Sequence, residues 1–211
     1  MDWIPEVRLP ILSLAQLLQR LVAALVVFGV HGWVAVALAD RLGDPGPRQD
    51  GRRTPSPLAH LDVVGLVHAL FFLVGWMPRI DVDAQKLRGR WLGALAMTVG
   101  ASAGLAAFSA LLLALRPLVL SALGDSTALT VSGLLNATAD LAIVAAVVHL
   151  LPLQPFVGAA WAPWAAAPSS VWHGARLRWI VVGVLVVLSL VGLTGRWVAP
   201  IASGWRSLLG F

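Results

Sequence analysis

Long apolar stretches separated by short polar ones dominate this chain. Residues 11–38 are apolar apart from Arg20 and a few uncharged polar side chains, and a shorter run covers 61–77. Two more cover 91–115 and 128–151, and a last one runs over 179–195, continuing past Arg196 to about Gly204. A helix that crosses a bilayer needs about 20 mostly apolar residues. The pattern therefore predicts an all-α integral membrane fold, with about five transmembrane helices in a compact bundle.

Between these runs the chain is short and turn-rich. Residues 40–57 hold Gly, Pro, Asp and Arg and read as a surface loop. Residues 78–90 mix acid and base, and 124–127 read as a tight turn. The longest connection, 152–178, carries Trp161, Trp164 and Trp172 among Ala and Pro, and Trp179 opens the last apolar run. Tryptophan prefers the headgroup level of a bilayer, so this stretch is expected to be interfacial or re-entrant. Its uncharged, Trp-rich character also makes Trp161, Trp164, Trp172 and Trp179 the expected contacts to a partner, because aromatic side chains dominate binding hot spots.

Composition agrees. The chain is 59% hydrophobic and 12% charged, which excludes an ordinary soluble domain. Fifteen Lys and Arg against ten Asp and Glu give +5, a surplus suited to headgroups rather than to nucleic acid. There is no cysteine, so disulfides and thiolate chemistry are excluded.

The chemistry begins at His31-Gly32-Trp33-Val34-Ala35, inside the first apolar run. A helical His-Glu-x-x-His would place two imidazoles on one face to hold zinc, with the Glu activating water. Here His31 supplies the first imidazole, Gly32 replaces the base and Ala35 replaces the second ligand. Other polar groups in apolar runs are functional candidates by default. His68 and His149 could each ligate haem iron or the magnesium of a chlorophyll, although a hydrogen bond to a backbone carbonyl is the commoner role. Asp140 lies one turn from Asn136 and is expected to be protonated or bonded to Asn136, Thr138 or another helix. Gly100 and Gly104 have the spacing that lets helices approach closely, and packing within the bundle is favoured over dimerisation.

Taken together these segments resemble the site-2 protease family of intramembrane zinc metalloproteases. The motif helix leads into ADRLGDPGPRQDGRRTPSPLAHLDVVG at 39–65, with the run 57–62 especially similar to the family's connecting segment. VGWMPRIDVDAQKLRGRW at 74–91 is similar to its Gly-Trp-Ala-Lys-Pro-Val stretch, and VGASAGL at 99–105 to its Ala-Gly-Pro-x-Ala-Asn helix start. HLLPLQPFVGAAW at 149–161 resembles Asn-Leu-x-Pro-x-x-Pro-Leu-Asp-Gly, so that His149 stands for the Asn and Val157 for the third zinc ligand. The resemblance divides the chain into a family-like core, 1–160, and an added part, 161–211, holding the interfacial segment and a further transmembrane helix.

The resemblance implies lost catalysis. With Gly32, Ala35 and Val157 at the base and two ligand positions, no zinc and no other cofactor is expected, and His31 alone cannot hold a metal against water. The implied function is a catalytically inactive structural or assembly subunit of a larger membrane complex, photosynthetic or respiratory. Its expected partners are other integral membrane proteins and lipids, in a bacterial inner or photosynthetic membrane. The alternatives are a non-cutting regulator that binds transmembrane client helices, a residual membrane metallohydrolase, or an enzyme or transporter using His31, His60 and Asp62.

Overall fold

A computed structural model describes residues 10–162 and 175–211; those residues form helices, turns and extended segments, with no strand among them. Helix α1 is Leu14–Leu42, and the short helix α2 is Gly46–Gln49. A 3-10 turn, Pro57–His60, precedes α3, Val63–Phe72. Two long helices follow, α4, Trp91–Ala122, and α5, Asp125–Val148. After a second 3-10 turn, Val157–Trp161, come α6, Ala175–Leu190, and α7, Gly195–Leu209.

Three helices, α1, α4 and α5, are long and apolar enough to cross a membrane. They form the centre of the bundle. Ser13 opens α1 with a capping box, its hydroxyl accepting from the Gln16 N–H while the Gln16 side chain accepts from the Ser13 N–H. Gly43, in the left-handed region at φ 118°, closes it. Ala23, Ala24, Val27 and Phe28 of α1 pack against Leu105 of α4 and against Leu141, Ala142 and Ala145 of α5. Small residues bring α1 and α4 together: a methyl on Gly100 would stand 2.9 Å from Leu38, and one on Gly104 3.4 Å from Val34. The small-residue spacing thus serves packing inside the chain. Large apolar side chains also cover the outside, among them Leu111 and Leu118 on α4, Leu129 on α5, and Val184 and Val187 on α6.

The expected second span, 61–77, is not a helix long enough to cross by itself. Helix α3 has 10 residues, about 15 Å at the helical rise, half of a bilayer core. Asp62 caps its start by accepting from the Gly65 N–H at 2.9 Å. Its far end meets the Arg20 guanidinium, which donates to the Leu70 and Phe71 carbonyls at 2.8 and 3.2 Å. The chain then turns back through Leu73, held at φ 59°, and runs without helix until the Arg88 N–H donates to the Leu42 carbonyl at 2.7 Å. It therefore returns to the C-terminal end of α1. Trp76 and Met77 are buried on the way, with Trp76 filling the space beside Gly65.

The expected last span is also not one helix. Helices α6 and α7 meet at 82° across a break that holds Gly192, at φ 76°, and Thr194. Val198, Ile201 and Trp205 recur at helical spacing along α7 and pack towards the core, while Arg196, Ser203 and Ser207 face outward. A turn rich in glycine relieves the backbone of one continuous axis, which hydropathy alone does not register.

Candidate functional site

The segment 40–57 is largely at the surface, as expected, but Asp44 and Pro47 are buried in it and its end lies along α1. A methyl on Gly29 would stand 2.5 Å from the Pro55 carbonyl oxygen, so that close approach requires glycine. Two polar anchors hold the segment. Asp44, itself buried, accepts from the Gly46 N–H at 3.0 Å and from the Asp83 N–H at 2.7 Å. Arg52 donates to the carbonyls of Arg79, of Pro78 at 3.1 Å and of Ala59 at 3.4 Å. Both anchors tie this segment to the returning chain after α3, and both place His60 against α1.

The result is a cluster of three imidazoles. His31, His60 and His149 are 1%, 0% and 1% exposed. The His31 and His149 rings meet edge to face with centroids 4.5 Å apart, and Phe156 packs on the other side of His149. His60 donates from Nε2 to the Thr54 carbonyl at 3.0 Å, which fixes its tautomer and leaves Nδ1 as a lone pair. Burial, ahead of the charge on Arg52, pushes the His60 pKa below its ordinary value, so the ring is neutral at physiological pH. Its ring fills the space beside Gly32: a Cβ at that position would fall inside the imidazole.

The positions singled out along the sequence converge here. His149 ends α5, and its Nδ1 accepts from the Val157 N–H at 3.4 Å. His31 and Val157, far apart in sequence, thus border the same imidazole. Ala35 is buried one turn beyond His31 on α1. Among the described residues, no hydrogen bond is made by either ring nitrogen of His31, by Nδ1 of His60 or by Nε2 of His149. The backbones of Ala101 and Gly75 face His31 and His149 without reaching hydrogen-bond geometry. The His31 and His149 rings meet edge to face, and His60 stands beside Gly32. Among the described residues, no set of three His, Cys, Asp or Glu side chains is arranged to hold a metal ion.

His68 does not join this cluster. Its Nδ1 donates to the Val74 carbonyl at 2.5 Å and its Nε2 accepts from the Ser189 hydroxyl at 2.9 Å. Both nitrogens are engaged, so His68 is a strut between α3 and α6 and has no lone pair to offer a haem or chlorophyll. His149 borders a cavity of about 100 Å³, smaller than the few hundred Å³ typical of ligand pockets. Asp62 caps α3 and pairs with Arg178 of α6, and so is committed to structure. Asp140 finds its partner on another helix, Arg206 of α7, at 2.5 Å. Of the tryptophans, Trp161 donates from its indole to the Leu150 carbonyl at 3.2 Å, and Trp179 is 55% exposed on α6. Trp164 and Trp172 lie outside the described residues.

The sequence offered His60 only as a candidate beside His31 and Asp62, and gave Arg52 no role. The Pro-x-Pro-Leu-Ala-His stretch at 55–60 was the available signal, since two prolines and an apolar pair suit a rigid, half-buried turn. Comparison with protein-family models, with curated proteins and with solved structures gives no match for this chain.

Proposed function

We propose that the chain is an integral membrane protein of a bacterial inner or photosynthetic membrane, a catalytically silent relative of the site-2 proteases that acts as a structural or assembly subunit of a larger membrane complex. The observation that carries this reading is the His60 ring seated where a side chain at Gly32 would stand. A His-Glu-x-x-His hydrolase needs its carboxylate at that point, within reach of a metal-bound water. Here neutral imidazole occupies the space, and Ala35 and Val157 offer no donor atom to a metal. The membrane assignment rests on three long apolar helices and on the large apolar side chains that cover their outer faces.

Purification in a mild detergent, followed by mass spectrometry of the intact assembly, tests the role. A fixed stoichiometry with other integral membrane subunits is the expected result. Recovery as a lone chain that captures single-span clients would replace the scaffold with the regulator. Of the four tryptophans expected to meet a partner, Trp179 is 55% exposed on α6, with the Arg178 guanidinium 5.5 Å over its ring. Trp179→Ala is expected to weaken the assembly by about 2 kcal/mol or more without lowering the melting temperature of the isolated chain. Undiminished stoichiometry in that variant would move the docking surface elsewhere.

A further inference from the structure

A second feature lies away from the imidazole cluster, where the far end of α3 and the α6–α7 bend meet α1 and α5. A cavity of about 500 Å³ opens there, within the range of ligand pockets, with Arg20, Phe72, Asp140, Thr194 and Val198 among its walls. Its walls are mostly apolar, yet it borders a cluster of charges, Arg20, Asp140 and Arg206. Arg206 pairs with Asp140 at 2.5 Å and neutralises it. Arg20 spends its Nη1 on two neutral carbonyls, of Leu70 and Phe71, and makes no further hydrogen bond among the described residues. Among the described residues, the three groups Arg20, Asp140 and Arg206 therefore sum to one positive charge in excess beside an apolar cavity. A guanidinium in such surroundings recruits an anion, and its planar fork suits two oxygens of one phosphate. Helix α7, 15 residues long, starts at Gly195 on the same wall and turns its positive end towards it.

We infer that this cavity binds an anionic phospholipid, with the phosphate on Arg20 and the first part of an acyl chain along Phe71, Phe72 and Val198. The position fits such a ligand. Arg20 lies in the second turn of α1, close to where that helix begins at Leu14, and the apolar wall continues from it. A free inorganic phosphate would leave that apolar wall uncovered, so both ends of an amphiphile are needed to fill the site. The inference does not depend on the catalytic silence of the imidazole cluster or on any partner subunit.

The test uses the full-length protein in detergent, delipidated and then mixed with phosphatidylglycerol, with phosphatidylcholine or with inorganic phosphate. Native mass spectrometry and thermal melting read the result. One phosphatidylglycerol should be retained per chain, roughly tenfold more tightly than phosphatidylcholine, whose choline cation offsets the phosphate charge that Arg20 would meet. Arg20→Gln should abolish that preference. Because Arg20 also caps α3, Ala202→Phe serves as the second variant: it fills the cavity, leaves every charge in place and should block retention of the lipid. Equal retention of the two lipids, unchanged binding in Ala202→Phe, or equal stabilisation by inorganic phosphate alone would each overturn the assignment.

Discussion

Gly32→Ala is expected to lower the melting temperature of the purified protein by on the order of 5 °C, and Gly32→Glu to prevent stable folding. A single added methyl falls inside the His60 ring, so either the ring or the backbone of α1 must move. Overpacking of this kind costs about 1–3 kcal/mol, which corresponds to a few degrees for a chain of this size. Glutamate adds a second penalty, because its carboxylate enters a cluster of neutral, buried rings with no cation to receive it. The relief variant separates this cause from general fragility. His60→Gly empties the space beside Gly32, so Gly32→Ala in that background should cost little. A Gly32→Ala protein that melts with the wild type would contradict the packing on which the functional reading rests. It follows that restoring Glu at 32, His at 35 and Asp at 157 will not rebuild a metal site while His60 remains in place.

Asp140→Ala is expected to have the second largest effect. Asp140 and Arg206 are 20% and 35% exposed as side chains, and their ion pair joins α5 to the amphipathic α7. Removing the carboxylate leaves Arg206 and Arg20 together beside an apolar cavity. Breaking a fully buried pair costs about 3–5 kcal/mol; partial exposure lowers the expectation to about 2 kcal/mol here. Replacing both partners by apolar side chains of similar size, Asp140→Leu with Arg206→Met, should recover most of the loss, because no charge is then left unpaired. Melting curves of the single and double variants read the difference. Equal melting of Asp140→Ala and wild type would show that the pair does not hold α7 to the bundle.

The three central helices were legible because each is a long apolar run with a defined stop, such as Gly43 after α1 and the Gly124 turn before α5. The two segments that do not form one long helix depart from it for separate physical reasons. Residues 61–77 carry enough apolar side chains for a span, but apolarity records burial and not direction. Burial here is supplied by α1 and α6 around a chain that turns back at Leu73. At 190–195 the hydropathy stays high through a bend that glycine makes possible, and the sequence signal lay in Gly192 and Gly195 rather than in the average. For the site, His31, Gly32, Ala35, His149 and Val157 were each visible as departures from a pattern; His31 and Val157 border His149, and Gly32 borders His60. That His60 would close the space beside Gly32 depends on Arg52 and Asp44 pinning a connection to a segment far along the chain. No local periodicity encodes such a contact.

The central claim is that His31, His60 and His149 form a packed imidazole cluster in place of a metal centre. Elemental analysis of the protein, purified from zinc-supplied cells without chelator, tests it most directly. Because Ala35 and Val157 offer no ligand and the rings meet edge to face, zinc and other transition metals should fall well below one per chain, and added zinc should leave the melting temperature unchanged. One tightly held zinc per chain, lost together with stability on His31→Ala, would contradict it.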